Sequence, residues 1–200
     1  MEQAYPFLSL ILAAIVIMGG PSPSTMSLTA AEAAYGHRRC LGYLAGLVFG
    51  AIAALLVVAA GFVAALTAVP MLAPLMITVS GVYIAYLAYQ IAMAPPLAEQ
   101  DPATAEPSLA GGLLLGVANP KAYLAIAAVF AGNLLPIEPL WLEGVVKTGL
   151  LAGMILLIHL VWLMAGVSLS RLLRDPVRSR FVNLLLSACL VAATALSLLG

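Results

Sequence analysis

Three side chains in this sequence are of types that could do chemistry inside an apolar run. Lys121 sits in GVANPKAY, His159 in LLIHLVW, and Glu32 in LTAAEAAYG toward the end of the first apolar segment. An ammonium at the centre of a membrane helix costs about 2.5–3.5 kcal/mol on insertion scales, so Lys121 must face a cavity or a partner. It is the counter-charge or gate for a bound anion or, in the plainer reading, a tie to a carbonyl or carboxylate that holds helices together. An imidazole titrates near neutrality, which makes His159 a candidate proton carrier. A single interhelical hydrogen bond is its plainer role and the one favoured here. Glu32 either pairs with a nearby Arg or closes a cavity mouth. No Asp or Glu falls at the centre of an apolar run, so a carboxylate proton relay is not visible.

Lys121 follows a break in its run, and a second break of the same kind lies upstream. The stretch Gly20, Pro21, Ser22, Pro23, Ser24, Thr25 interrupts the first apolar run, and Asn119, Pro120, Lys121 interrupts a later one. Proline lacks an N–H and clashes with the preceding turn, so each break frees carbonyls from the helix ladder. In lipid such groups persist only where protein, water or a solute satisfies them. Ser22, Ser24 and Thr25 add hydroxyls. The half-helix that starts after each break is expected to present free N–H groups and its positive dipole end, which suits a carboxylate. These residues are the candidate substrate-binding set, with Lys121, His159 and Glu32 as candidates for coupling or gating.

The elements that must position these residues are membrane helices. Of 200 residues, 64% are hydrophobic and 8% charged, and mean hydropathy is +1.14. A soluble domain of this size needs more polar surface, whereas such runs are long enough to cross a bilayer. Zero net charge gives no electrostatic case for nucleic acid. The N-terminal segment lacks a basic n-region and an A-x-A site, and is read as a first membrane helix.

Punctuation divides the chain into six segments: about Pro6 to Ala34, Leu41 to Leu66, Leu72 to Ala94, Ser108 to Gly132, Gly144 to Leu169 and Phe181 to Leu199. The fold expected is an all-α, six-helix transmembrane bundle forming one domain over 1–200. Its halves are about 1–94 and 108–200, joined by a Pro-rich acidic linker at about 95–107. Pro21 and Pro120 lie almost half a chain length apart, each in the first span of its half. Three spans per half makes this a 3+3 inverted repeat with helices 1 and 4 broken, the pattern that points to a transport site at the midplane.

Arg38 and Arg39 in the first loop, and Arg171, Arg174, Arg178 and Arg180 in the fifth, put those loops in the cytoplasm and both termini outside. Gly42/Gly46/Gly50, Gly112/Gly116 and Gly149/Gly153 form stripes that let helices approach closely. Packing within one subunit is the preferred reading, and a homodimer interface is the alternative. Cys40 and Cys189 match no redox or metal spacing and read as small apolar side chains. Tyr86 and Tyr89 read as membrane-interface side chains.

These motifs resemble the LysE/RhtB family of amino-acid exporters. GPSPST (Gly20 to Thr25) is similar to that family's G-P-G-P-N-T-like motif, and GHRRCLG to its G-x-R-x-G-like loop. GVYIAYLAY is similar to the G-A-A-Y-L-x-Y-L-G stretch of its third span, and GLLLGVANPKAY to the G-x-x-x-N-x-x-N-P-K stretch of its fourth. Order and separation fit across nearly the whole chain. The resemblance implies export of an amino acid or related metabolite across the bacterial cytoplasmic (inner) membrane, driven by the proton gradient. Two departures stand out. Ser22 and Ser24 replace the usual Gly and Asn, and the aromatics usual after N-P-K are reduced to Tyr123 and Phe130.

Other readings fit less well. A thiol-redox carrier needs a cysteine in spans one and four, and both lack it. A metal-ion exporter wants midplane Asp, Glu, His or Cys ligands; His159 alone is too little, and a buried lysine repels cations. An intramembrane enzyme would show a motif such as HExxH or GxSxG, and a non-transporting scaffold leaves Lys121 and the matched breaks unexplained. The expected mechanism is alternating access, the two halves rocking around a solute. Its carboxylate would dock near Pro21, Pro120 and Lys121. The partners expected are a small solute and the bilayer, with no cofactor and no metal.

Overall fold

The first apolar run does not cross as one rod. In the computed structural model, which describes residues 4–61, 71–93, 107–170 and 176–199, α1 (Ala4–Ala13) passes into a π-helical turn (Ala14–Met18). The chain then bends by 67° before α2 (Pro23–Tyr35). The Gly19 N–H reaches back to the carbonyls of Ala14 (3.2 Å) and Ile15 (3.1 Å), the wider bond that defines a π turn. Beyond it Pro21 and Pro23 have no N–H to continue the ladder.

Gly36 alone separates α2 from α3 (His37–Ala59). Its φ of +81° lies in the left-handed region, where a side chain would be strained. The basic first loop expected from sequence is therefore the opening turn of α3, which starts at His37 rather than Leu41. The remaining elements are α4 (Leu72–Met93), α5 (Leu109–Ala118), α6 (Pro120–Gly132), α7 (Leu140–Ser170) and α8 (Pro176–Leu199). The bend between α5 and α6 is 58°. Nearly all of the 95–107 linker, and residues 62–70 before α4, lie outside the described residues. Among those residues α3 and α7 are each long and apolar enough to span a bilayer. Each bent pair qualifies when its two helices are taken together, giving two to four candidate spans.

Glycine sets the closest approach. Gly46 and Gly50 of α3 face Gly112 and Gly116 of α5, so that a Cβ placed on Gly50 would lie 2.8 Å from the Gly116 Cα. Backbone meets backbone along this seam, which in lipid replaces the missing hydrophobic drive with dispersion. Two of the three glycine stripes are thus consumed by packing inside the chain. The third, Gly149/Gly153 on α7, faces open space. Gly166 lets α7 lie against α2, where an added Cβ would lie 2.7 Å from the Thr29 carbonyl. Elsewhere α4 packs on α8, and the Ser187 hydroxyl donates to the Ala88 carbonyl at 2.8 Å. Cys40 is buried in the first turn of α3, and Cys189, Tyr86 and Tyr89 are exposed.

A polar assembly terminates α6. The Lys147 ammonium donates to the Phe130 carbonyl (3.2 Å), pairs with Glu143 (2.7 Å) and lies 5.3 Å from the centre of the Phe130 ring. Glu143 also accepts the Leu135 N–H at 2.8 Å. Asn133 donates to Val129 O, and its Oδ1 accepts from the Ser9 hydroxyl of α1 at 3.0 Å. A cation on the last carbonyls of a helix complements the negative end of its dipole. The i, i+4 spacing of Glu143 and Lys147 is visible in sequence, but its burial is not.

Candidate functional site

Two loose carbonyls of the first break are met by side chains from elsewhere. The Lys121 ammonium, at the start of α6, donates to the Pro21 carbonyl at 2.7 Å. The Trp162 indole of α7 donates to the Gly19 carbonyl at 3.1 Å. Asn119, between α5 and α6, donates through Nδ2 to the Ser24 hydroxyl at 2.7 Å. The two breaks therefore meet, and they meet through hydrogen bonds. A further relay fixes α2 from behind: Tyr43 donates to the Ser27 hydroxyl (3.0 Å), which donates to the Ser24 carbonyl (2.8 Å). Trp162 carries no motif in the sequence. Its single N–H donor next to an apolar ring was the available signal.

The two half-helix ends are not equivalent, and here the sequence expectation needs correcting. Ser22 caps α2 with a full capping box. Its hydroxyl accepts the Thr25 N–H at 3.2 Å, while the Thr25 hydroxyl accepts the Ser22 N–H at 2.9 Å. The Thr25 N–H, one of the donors that a carboxylate would use at that end, is already taken by the Ser22 side chain. At α6 the N-cap residue Asn119 makes no capping bond, because its amide is turned toward Ser24. Of the two ends, that of α6 is the one no side chain caps, and Lys121 stands in its first turn.

A cavity of about 50 Å³ opens where the breaks meet. Ser22, Ser24, Thr25, Asn119, Lys121 and His159 line it, together with an apolar wall that includes Ile17, Met18, Ile126 and Ile155. That is space for roughly three to five water-sized occupants. Of the candidate residues, Gly20, Pro21, Pro23 and Pro120 stand outside this lining and shape the backbone around it. Glu32 does not reach the cavity. It is buried toward the far end of α2, with Oε1 3.4 Å from the His37 imidazole.

His159 corrects a second expectation. It makes no interhelical bond: Nδ1 lies 2.8 Å from the carbonyl of Ile155 on its own helix. Nε2 is buried without a partner, as are Oδ1 of Asn119 and Oε2 of Glu32. Among the described residues no three His, Cys, Asp or Glu side chains gather as a metal would require.

Comparison with curated proteins and with solved structures finds no match. The model of the LysE type translocator family, however, matches residues 14–199. That match includes both breaks, the cavity between them and every helix from the π turn onward. The chain therefore belongs to the LysE type translocator family: it is a multi-pass membrane transporter and not an enzyme.

Proposed function

We propose that this chain exports an amino acid or a related small metabolite from the bacterial cytoplasm across the inner membrane, by alternating access and at the expense of the proton gradient. The observation that carries the reading is the cavity at the junction of the breaks, with Lys121 bridging to Pro21 on its wall. A cation beside the uncapped start of α6 suits a carboxylate. The apolar wall suits a small, uncharged remainder of the solute. One imidazole next to an ammonium is a poor site for a metal cargo.

The same reading takes α4 and α8, of 22 and 24 residues, as the two further spans of a six-helix, 3+3 inverted repeat. Both termini then lie outside the cell. Support comes from the similar bends, 67° and 58°, in the first span of each half.

The test is efflux from proteoliposomes loaded with a panel of amino acids, with and without an imposed proton gradient. Gradient-stimulated efflux of one or a few is expected, and its loss in Lys121→Ala. A panel that stays inside, or Lys121→Ala with normal efflux, would refute the assignment. A reporter fused after Gly200 that reads cytoplasmic would refute the topology.

A further inference from the structure

We propose that Asn119 and His159 form an amine-recognising pole of the cavity, so that the carrier selects solutes whose nitrogen still bears hydrogen. The inference rests on the transport reading above and deepens it. A carbonyl can only accept, so the 2.8 Å contact with Ile155 O places the ring hydrogen of His159 on Nδ1. The neutral ring then carries its lone pair on Nε2, which is buried and has no partner. Asn119 uses Nδ2 on Ser24, which leaves Oδ1 as a second buried acceptor without a partner. The two residues are 6% and 2% exposed, and both line the one cavity. Buried acceptors with no partner in the chain are costly, and what they lack is an N–H or O–H donor.

Charge alone does not supply this pole. Lys121 is the charged side chain on the cavity wall. Glu32 lies beside His37 at the far end of α2, and Glu143 is paired with Lys147 toward the other end of α7. With no carboxylate among the described residues that line the cavity, a solute's ammonium is held there by donating hydrogens and not by attraction to an anion. A quaternary ammonium has the same charge and nothing to donate, and its methyl groups must fit a cavity of about 50 Å³. Such a pole, set with the Lys121 donor in one small cavity, matches a molecule whose ammonium and carboxylate are close together.

The experiment begins with proteoliposomes loaded with a mixture of the common amino acids, to find which one leaves. That amino acid then competes against its N,N,N-trimethyl derivative and against the matching acid without an amine. The trimethyl derivative is expected to compete at least about tenfold more weakly than the parent. His159→Leu should erase that preference, while His159→Gln, which keeps an acceptor, should restore part of it. Equal competition by the trimethyl derivative in the unaltered protein overturns the amine pole, and that comparison needs no variant to fold. A folded His159→Leu that keeps the full preference overturns it as well. If no amino acid leaves the vesicles, the transport reading itself fails; if one leaves and its trimethyl derivative competes equally, only the amine pole fails.

Discussion

The Lys121 ammonium donates to the Pro21 carbonyl at 2.7 Å, linking residues one hundred positions apart in the chain. The bond closes one break with a side chain from the other. Removing it has opposing effects on stability. Lys121→Met leaves the Pro21 carbonyl without its donor, a loss of about 1–3 kcal/mol. It also removes a charge whose insertion costs about 2.5–3.5 kcal/mol. The two nearly cancel, so the unfolding temperature in detergent should change little. Efflux from proteoliposomes should fall at least about tenfold, since a charge-assisted contact to the solute is lost. A large drop in stability with efflux preserved would mark Lys121 as a structural tie.

Ser24 and Asn119 join the breaks a second time, at 2.7 Å. A double-mutant cycle with Ser24→Ala and Asn119→Ala should give a coupling of about 0.6 kcal/mol, the average for hydrogen bonds between membrane helices. Ser24→Ala alone should cost about 1–2 kcal/mol, because it strands the Asn119 amide in a buried place. Reversible unfolding in mixed micelles measures both. Zero coupling would mean that the two side chains merely sit side by side.

The glycines make a contrast that one technique can read. Gly112→Ala drives a methyl into the Tyr43 carbonyl and should destabilise by about 1–3 kcal/mol. Gly149→Ala meets nothing within 4 Å and should be neutral, or stabilising by about 0.5–1 kcal/mol through helix propensity. Thermal unfolding compares the two. A destabilised Gly149→Ala, with a change in oligomer size, would instead support the homodimer reading for that stripe.

Lys147→Met leaves Glu143 buried beside an apolar neighbour and uncovers the Phe130 carbonyl. It should lower the unfolding temperature more than the double substitution Glu143→Gln with Lys147→Met, in which no charge is stranded. The reverse order would mean that the pair contributes through its separate hydrogen bonds and not through its charges.

Much of this is legible in the sequence. Pro21, Pro23 and Pro120 announce their bends because a missing N–H acts locally. Gly46, Gly50, Gly112 and Gly116 announce close packing because their spacing matches the helical repeat. What could not be read depends on which helix faces which. That Asn119 turns its amide away from α6 and toward Ser24 is a tertiary fact. So is the position of Trp162 over the Gly19 carbonyl. An imidazole in a helix can bond its own preceding turn, as His159 does to Ile155, and sequence does not distinguish that from a bond to a neighbour. Arg38 and Arg39 read as a loop in sequence, although a single glycine with positive φ is enough to join the two helices there.

The glycine seam has a mechanical meaning. It binds α3, from the first half of the chain, to α5, from the second, at backbone contact. A rigid-body separation of the two sequence halves would have to unzip that seam along its length and expose bare backbone to lipid. The strut formed by α3 and α5 is better suited to stay fixed as a fulcrum while the segments hinged at the bends swing against it. In that case the parts that move together are not those that lie together in the sequence. A cross-link between α3 and α5 would leave the carrier running, and one across the bend between α1 and α2 would stop it.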